Sequence, residues 1–238
     1  MNEWHKIWSR KTGEINLEDD IFSVYRSLKI ANGFDVNAEE GYYESFFQDF
    51  NDKRKIIHDK IGDFTSLYEV GCGSGVNLFL FNKLDNISRL GGCDYSQSLT
   101  KLAQQVAGES FVKNMDAEDI DISDKYDVVL ADSVFQYFTS AQKGYKVLDL
   151  MRRKADKMVV VTEVHDESLK QEHLDYRKSV IENYDEVYKG LDKTFYSKEK
   201  LLAYADSLGD EYKCEIVKPR NDKYWNNRFV FDFYLWKQ

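Results

Sequence analysis

Proline and cysteine are scarce in this chain of 238 residues. Pro219 is its single proline, which excludes collagen-like and proline-rich architectures. The three cysteines, Cys72, Cys93 and Cys214, are widely spaced and form no CxxC pair, so neither a disulfide framework nor a zinc knuckle is expected. Unpaired thiols of this kind are typical of a reducing compartment, and we therefore expect a cytoplasmic protein.

Long apolar runs and a basic charge excess are also lacking. No stretch of about 18 apolar residues is present, and the opening MNEWHKIWSRKTGEIN has no signal-peptide core, so we expect no membrane segment. Lys and Arg number 33 against 42 Asp and Glu, which gives a net charge of −9. Because nucleic acids and anionic membranes favour basic surfaces, a small-molecule partner is expected instead. The oligomeric state stays open.

Apolar residues make up 42% of the chain, which is enough to form a core. From about residue 66, short apolar runs alternate with amphipathic stretches, which predicts an α/β fold with a doubly wound, mixed, seven-stranded sheet. Strands are predicted at 66–70, 88–94, 110–114, 126–132, 157–164, 214–218 and 228–236, with the last two paired antiparallel. We predict two domains, a helical cap at 1–60 and the sheet domain at 61–238, with a helical insertion around 167–195.

A glycine loop, EVGCGSG at 69–75, lies between the first strand and a helix. Parallel sheets bind ligands at this edge, and glycines let the backbone approach the ligand closely. The dinucleotide fingerprint GxGxxG would need glycine where Val76 stands, which disfavours NAD. Asp94 ends the second strand, where a carboxylate can accept hydrogen bonds from ribose hydroxyls. Dinucleotide sites also have an acid there, so Asp94 alone does not decide the cofactor.

Three further motifs follow the loop in order: GCDYS at 92–96, NMDAEDI at 114–120 and YDVVLADSVFQYF at 126–138. Together the four resemble the class I S-adenosylmethionine-dependent methyltransferases over roughly residues 60–165, with a family-like finish to residue 236. The pieces VFQYF and EVHDE resemble a bacterial small-molecule branch of surface-polysaccharide and natural-product pathways. The resemblance implies a Rossmann-like methyltransferase fold, S-adenosylmethionine as cofactor and S-adenosylhomocysteine (SAH) as product.

The resemblance also implies cofactor contacts in each motif. The methionine portion would contact the glycine loop at Glu69, Gly71, Cys72, Gly73 and Gly75. The ribose and adenine would contact Asp94, Tyr95, Ser96, Asp116 and Ala117. The motif that faces the sulfonium begins with Asp132 and Ser133. Other roles stay open for some of these residues: Tyr95 as a packing aromatic, Asp116 as a turn former, Cys72 as a small buried residue and Ser96 as a helix N-cap.

His165 follows the fifth strand and is the predicted general base, because an imidazole with a pKa of about 6.5 suits proton removal at neutral pH. The alternative is a histidine that caps or hydrogen-bonds the next helix. Gln136 and Tyr137, after the fourth strand, are predicted to orient the substrate. His58 and His173 are expected at the surface.

Substrate contacts are predicted at Tyr176 and Arg177 in the insertion and at Tyr224, Trp225 and Asn226 before the last strand. This mixture suits a small polar acceptor, including an anionic one. Trp4, His5 and Trp8 are candidates for a lid. No HxxxH or HExxH occurs, so no metal is expected.

The predicted function is methyl transfer to an oxygen or nitrogen of a small molecule. Residues 132–135 read DSVF, without the Pro-Pro pair typical of base-methylating enzymes, which disfavours nucleic-acid substrates. A protein methyltransferase and a non-catalytic S-adenosylmethionine-binding partner remain alternatives, and a nicotinamide oxidoreductase is disfavoured by Val76.

Overall fold

A mixed seven-stranded sheet organises the computed structural model, which describes residues 3–109 and 111–238. The strands run in the order β3-β2-β1-β4-β5-β7-β6. Their bounds are β1 (Ser66–Val70), β2 (Arg89–Asp94), β3 (Val112–Asn114), β4 (Tyr126–Asp132), β5 (Ala155–His165), β6 (Tyr212–Val217) and β7 (Val230–Lys237). The predicted fold class is confirmed. Of the predicted third strand, Ser110 lies outside the described residues.

Strands β1 to β5 pair in parallel, and β7 pairs antiparallel with both β5 and β6, as predicted for the final pair. Strands β1 and β4 are buried almost throughout, because helices cover both faces of the sheet. The parallel arrangement brings the carboxyl ends of β1, β2, β4 and β5 to one edge.

The helices are α1 (Glu3–Trp8), α2 (Ile21–Ala31), α3 (Tyr42–Ile61), α4 (Val76–Asp85), α5 (Gln97–Ala107), α6 (Ala141–Lys154), α7 (Lys170–Val180), α8 (Tyr184–Val187) and α9 (Lys198–Ser207). Serine side chains accept backbone N–H groups at the starts of α5, α6 and α9. One of these caps, Ser96, begins α5 at the position that the sequence predicts.

The N-terminal helices share the core of the sheet. Tyr25 and Leu28 of α2 lie in one buried cluster with Leu67 of β1 and Val128 of β4. No break in packing therefore separates residues before 60 from those after it, and the division into two domains stays a prediction.

A β-bulge interrupts β5 beside β7. Val161 pairs with Phe233 and Val164 with Phe231, so Thr162 and Glu163 together face Asp232 alone. Glu163 has φ +55, a left-handed conformation rare for a non-glycine residue, and its N–H donates to Asp232 Oδ1 at 2.9 Å. The bulge breaks the alternation of side chains along β5, so that Val161 and Val164 lie in the same buried cluster.

Candidate active site

A cavity of about 820 Å³ opens at the carboxyl ends of β1, β2, β4 and β5, a size suited to a cofactor with a small substrate. The predicted site residues that line it are Glu69, Gly71, Cys72, Gly73, Asp94, Tyr95, Asp116, Ala117, Asp132, Ser133, Tyr137 and Tyr224. The predicted residues outside its lining are Gly75, Ser96, Gln136, His165, Tyr176, Arg177, Trp225 and Asn226.

The glycine loop requires left-handed backbone at Gly71, Gly73 and Gly75, with φ of +69, +52 and +85. A Cβ at Gly73 would lie 2.7 Å from Asn32 Oδ1. A Cβ at Gly75 would lie 2.9 Å from the Cα of Ala103 in α5. Gly75 therefore permits close packing of α4 on α5, whereas Gly71 and Gly73 shape the cavity wall.

Asp94 holds the glycine loop against the end of β2. Its Oδ2 accepts from the Gly73 N–H at 2.9 Å, and its Oδ1 accepts from the Ser96 N–H at 2.7 Å. Burial raises the pKa of Asp94 above its ordinary value. Each carboxylate oxygen has more than one acceptor site, so Asp94 can also accept from two hydroxyls. The adjoining Tyr95 ring stacks on His5 of α1, with centroids 4.6 Å apart.

Asp116 and Ala117 lie farther along the same wall. Asp116 accepts from the Glu118 N–H at 3.1 Å and so begins a 3₁₀ turn, while its other oxygen lies 3.7 Å from Lys143 Nζ. Asp116 is therefore a turn former that also faces the cavity.

Glu69 presents an unsatisfied carboxylate oxygen. The side chain is buried, and its Oε1 accepts from Asn77 Nδ2 at 2.6 Å. Its Oε2 is buried and has no hydrogen-bond partner among the described residues. Burial raises the pKa of Glu69 well above its ordinary value. A buried acceptor without a partner is costly, and an ammonium group placed in the cavity would satisfy it.

Asp132 is fixed as an ionised carboxylate at the end of β4. Lys53 Nζ lies 3.1 Å from Asp132 Oδ1 and 2.9 Å from Asp49 Oδ2, and the Thr162 hydroxyl also donates to Asp132. Burial alone would raise the pKa of Asp132, but the ammonium charges of Lys53 and Lys29 hold it below its ordinary range. This edge of the cavity therefore carries negative charge.

Glu163 is a titratable cavity residue that the sequence analysis missed. It lines the cavity, is 7% exposed, and its Oε2 accepts from the Tyr224 hydroxyl at 3.2 Å. Burial, and next the charge of Asp132, raise its pKa. A cavity carboxylate with a raised pKa is typical of a general base. The motif EVHDE contains it, but the bulge that turns it inward cannot be read from that motif.

His165 lies behind Glu163 and outside the cavity lining. Its ring is fully buried against His173 and Phe195, and burial lowers its pKa well below the ordinary value. Asn226 Nδ2 lies 2.9 Å from His165 Nε2 and 3.4 Å from the Tyr224 hydroxyl, which donates to Glu163. The geometry therefore does not favour His165 as the direct base, because its ring lies outside the cavity lining. Hydrogen bonds through Asn226 and Tyr224 connect His165 to Glu163 instead.

The two predicted orienting residues, Gln136 and Tyr137, have different surroundings in the loop after β4. Gln136 is buried, and its Nε2 donates to the backbone oxygen of Ser133 at 3.0 Å and to its hydroxyl at 2.8 Å. Ser133 has φ +58, so Gln136 stabilises a strained turn. Tyr137 reaches the cavity, where its ring contacts Trp4 and Trp8 at 4.9 and 5.4 Å between centroids.

Helix α1 forms part of the cavity wall, and its role as a lid stays a prediction. Trp4, His5 and Trp8 all line it. The Trp4 Nε1–H donates to the backbone oxygen of Asp192 at 3.1 Å, which joins α1 to the segment after α8. The Ser96 hydroxyl donates to the backbone oxygen of Trp8 at 3.0 Å. Ser96 therefore caps α5 and anchors the lid.

The predicted substrate residues form a wall behind Tyr224. The rings of Tyr176 and Trp225 stack with centroids 5.6 Å apart, and the Arg177 guanidinium lies 5.5 Å from Trp225. His173, expected at the surface, is 1% exposed and packs against His165; that expectation was wrong because α7 turns this residue towards the sheet.

Comparison with known proteins adds independent observations. A family model described as a methyltransferase domain matches residues 68–156. The chain is 24% identical over 154 residues to the malonyl-[acyl-carrier protein] O-methyltransferase of Bacillus cereus, covering 62% of this chain and 56% of that protein. It is 29% identical over 84 residues to the protein of the same name from Calditerrivibrio nitroreducens, covering 35% and 32%. The chain thus spans about half of the first relative and a third of the second.

Solved structures share the fold. The plantazolicin methyltransferase BpumL in complex with SAH superposes with a TM-score of 0.62 at 18% identity, covering 99% of this chain and 98% of that one. The magnesium protoporphyrin IX methyltransferase of Synechocystis PCC 6803 with bound SAH gives 0.61 at 12% identity, covering 92% and 100%.

These matches support a class I S-adenosylmethionine-dependent methyltransferase. The matched residues run from β1 to the start of β5 and include the glycine loop, Asp94, Asp116 and Asp132. The predicted family is therefore confirmed on the same motifs from which it was predicted.

The residues of this methyltransferase fit the cofactor of its family. The unpartnered Glu69 oxygen suits the ammonium of a methionine portion, and Asp94 suits a pair of ribose hydroxyls. Among the described residues, six carboxylates line the cavity, against two lysines. They are Asp35, Glu69, Asp94, Asp116, Asp132 and Glu163, and the lysines are Lys29 and Lys143. Negative charge of this kind favours a cationic ligand.

Proposed function

We propose that this protein transfers a methyl group from S-adenosylmethionine to an oxygen or nitrogen of a small polar acceptor. The proposal rests on two features that occur together in one cavity. One is the buried Glu69 oxygen that has no hydrogen-bond partner among the described residues, and the other is the glycine loop held by Asp94. The named relatives, which include a carrier-protein O-methyltransferase and a plantazolicin methyltransferase, support a small or peptidic acceptor.

S-adenosylmethionine would supply an electrophilic methyl group on a sulfonium. Glu69 would bind its ammonium, and Lys29, which lines the same cavity, would face its carboxylate. Asp94 would accept from the ribose hydroxyls, while Tyr95, Asp116 and Ala117 would surround the adenine.

Glu163 would take the proton from the acceptor. Its raised pKa suits an acceptor hydroxyl or ammonium near neutral pH, and the Tyr224 hydroxyl fixes one of its oxygens. Trp4 and Trp8 of the lid would exclude water. The remaining contribution is positioning of the acceptor in line with the methyl group.

Calorimetry with SAH and with NAD tests the cofactor. We expect SAH to bind with one site per chain and NAD to give no measurable heat. NAD binding without SAH binding would overturn the proposal.

A turnover assay tests whether the protein is an enzyme. SAH formation from S-adenosylmethionine is measured with a panel of small hydroxyl, carboxyl and amine compounds, and with denatured proteins as the alternative acceptor class. SAH binding with no turnover on any acceptor would favour the non-catalytic partner instead.

The predictions of no nucleic-acid partner, no metal and a cytoplasmic location remain predictions. Within residues 3–109 and 111–238, no helix is both long and apolar enough to cross a bilayer.

A further inference from the structure

A second polar cluster lies beside the cavity wall, in the insertion between β5 and α9. It contains Arg177 and His173 of α7 and Lys193 of the segment after α8. Lys193 Nζ lies 4.9 Å from the ring centroid of Tyr137 and 5.6 Å from that of Trp4, and both rings also line the cavity. The cluster therefore adjoins the acceptor end of the site.

Arg177 is a buried cation without an acid partner. The residue is 5% exposed, and its guanidinium carbon lies 4.2 Å from the ring centroid of Tyr188 and 5.3 Å from that of Tyr184. In the described part of the chain, no carboxylate lies within 4 Å of it, and its Nε has no hydrogen-bond partner. Aromatic rings stabilise the guanidinium in part, and a bound anion would lower the remaining cost of burying its charge.

Lys193 is the second cation of this cluster. Over the described ranges, its ammonium has neither a carboxylate within 4 Å nor a hydrogen-bond acceptor. Burial, and next the charge of Arg177, lower its pKa to about 7. Lys53, by contrast, pairs with two carboxylates, and Lys154 donates to two backbone oxygens.

Unsatisfied nitrogens surround the two cations. Both ring nitrogens of His173 and the Nδ1 of His165 are buried and lack partners among the described residues. A neutral imidazole has one N–H donor, so each histidine can donate to an anion. Donors therefore concentrate here, whereas the wall formed by Asp132 and Glu163 is acidic and would repel an anion.

We propose that Arg177 and Lys193 form an anion subsite that binds a carboxylate or phosphate group of the acceptor, at the end remote from the methylated atom. The proposal rests on the proposed function, because it places the anion relative to the methyl donor site. It names the substrate class as a small acceptor that carries a second, unmethylated acidic group.

Anion binding to the full chain saturated with SAH tests the subsite. Malonate and inorganic phosphate are titrated separately, with Trp fluorescence and calorimetry as readouts, so that the two anion chemistries are told apart. We expect one of them to bind the wild type, and R177Q and K193M to weaken that binding at least tenfold. SAH affinity should change less than twofold.

Matched controls lie on the same segment. Lys178 on α7 is half-exposed and pairs with Asp185 at 2.9 Å, and Lys189 is exposed. K178Q and K189Q remove the same charge and should leave anion binding unchanged.

Two results would overturn the subsite: no binding of either anion to the wild type, or equal binding to wild type, R177Q and K193M. If R177Q fails to fold, anion binding is compared in K193M and in the conservative variant R177K instead. K193M is still expected to weaken anion binding at least tenfold. SAH binding is measured first, and the anion titration is repeated without SAH. A failure of the proposed function is thereby distinguished from a failure of the subsite.

Discussion

Gly73 illustrates how one missing side chain keeps the cavity open. A Cβ there would lie 2.7 Å from Asn32 Oδ1, and the residue has φ +52. We expect G73V to abolish SAH binding, and G73A to weaken it at least tenfold by calorimetry. Gly209 has φ +81 with nothing within 4 Å of the added Cβ, so G209A carries backbone strain alone. Equal SAH affinity in G73A and G209A would contradict this account.

Glu163 is the residue whose chemistry is most directly testable. E163Q keeps the size and the contact with Tyr224 but cannot take a proton. We expect turnover to fall by about 10²–10⁴-fold, with SAH affinity little changed. Because the carboxylate must be ionised to act, wild-type activity should rise with pH through the raised pKa of Glu163, and this limb should vanish in E163Q. E167Q, in the next turn, serves as control, and an unchanged pH profile in E163Q would remove Glu163 as the base.

At the element scale, the segment before β7 connects Glu163 to His165. Its residues Asn226 and Tyr224 join the two side chains by hydrogen bonds, and we infer that His165 is a positioning residue. We expect H165A to lower turnover while SAH affinity stays near the wild-type value. The pH limb assigned to Glu163 should shift but persist.

A double variant separates this role from direct catalysis. If His165 acts through Glu163, E163Q/H165A should be no slower than E163Q, because the two losses are not additive. Multiplied losses, or full activity of H165A across pH 6–9, would show that the chain of hydrogen bonds carries no coupling.

At the scale of the whole molecule, the buried charges predict how stability depends on pH. Burial raises the pKa of Asp232 to about 7, so the native state binds more protons than the unfolded chain between pH 4 and 7. Stability should therefore fall as pH rises through this window. D232N removes this contribution while keeping an acceptor for the Glu163 N–H.

Urea unfolding of wild type and D232N at pH 5 and 8 measures the difference. Between pH 5 and pH 8, we expect the free energy of unfolding of wild type to fall relative to that of D232N. The expected difference is on the order of 2–4 kcal/mol, at about 1.4 kcal/mol per pKa unit. D222N, at an exposed carboxylate, should show no such gain. If the free energies of unfolding of D232N and wild type changed equally between pH 5 and pH 8, Asp232 would be ionised at both pH values.

Local pattern predicted most of the architecture, and the family resemblance of four motifs predicted the cofactor contacts. Strands β1 and β4, the N-cap at Ser96 and the glycine loop depend on neighbouring residues, so the sequence specifies them directly. The tertiary structure decided the acceptor half. Glu163 lies at a bulge against β7, a strand some 70 residues later, and Lys193 reaches the Tyr137 ring only because the insertion folds back towards the sheet. Side-chain direction and charge pairing across such separations depend on packing, which no local spacing encodes.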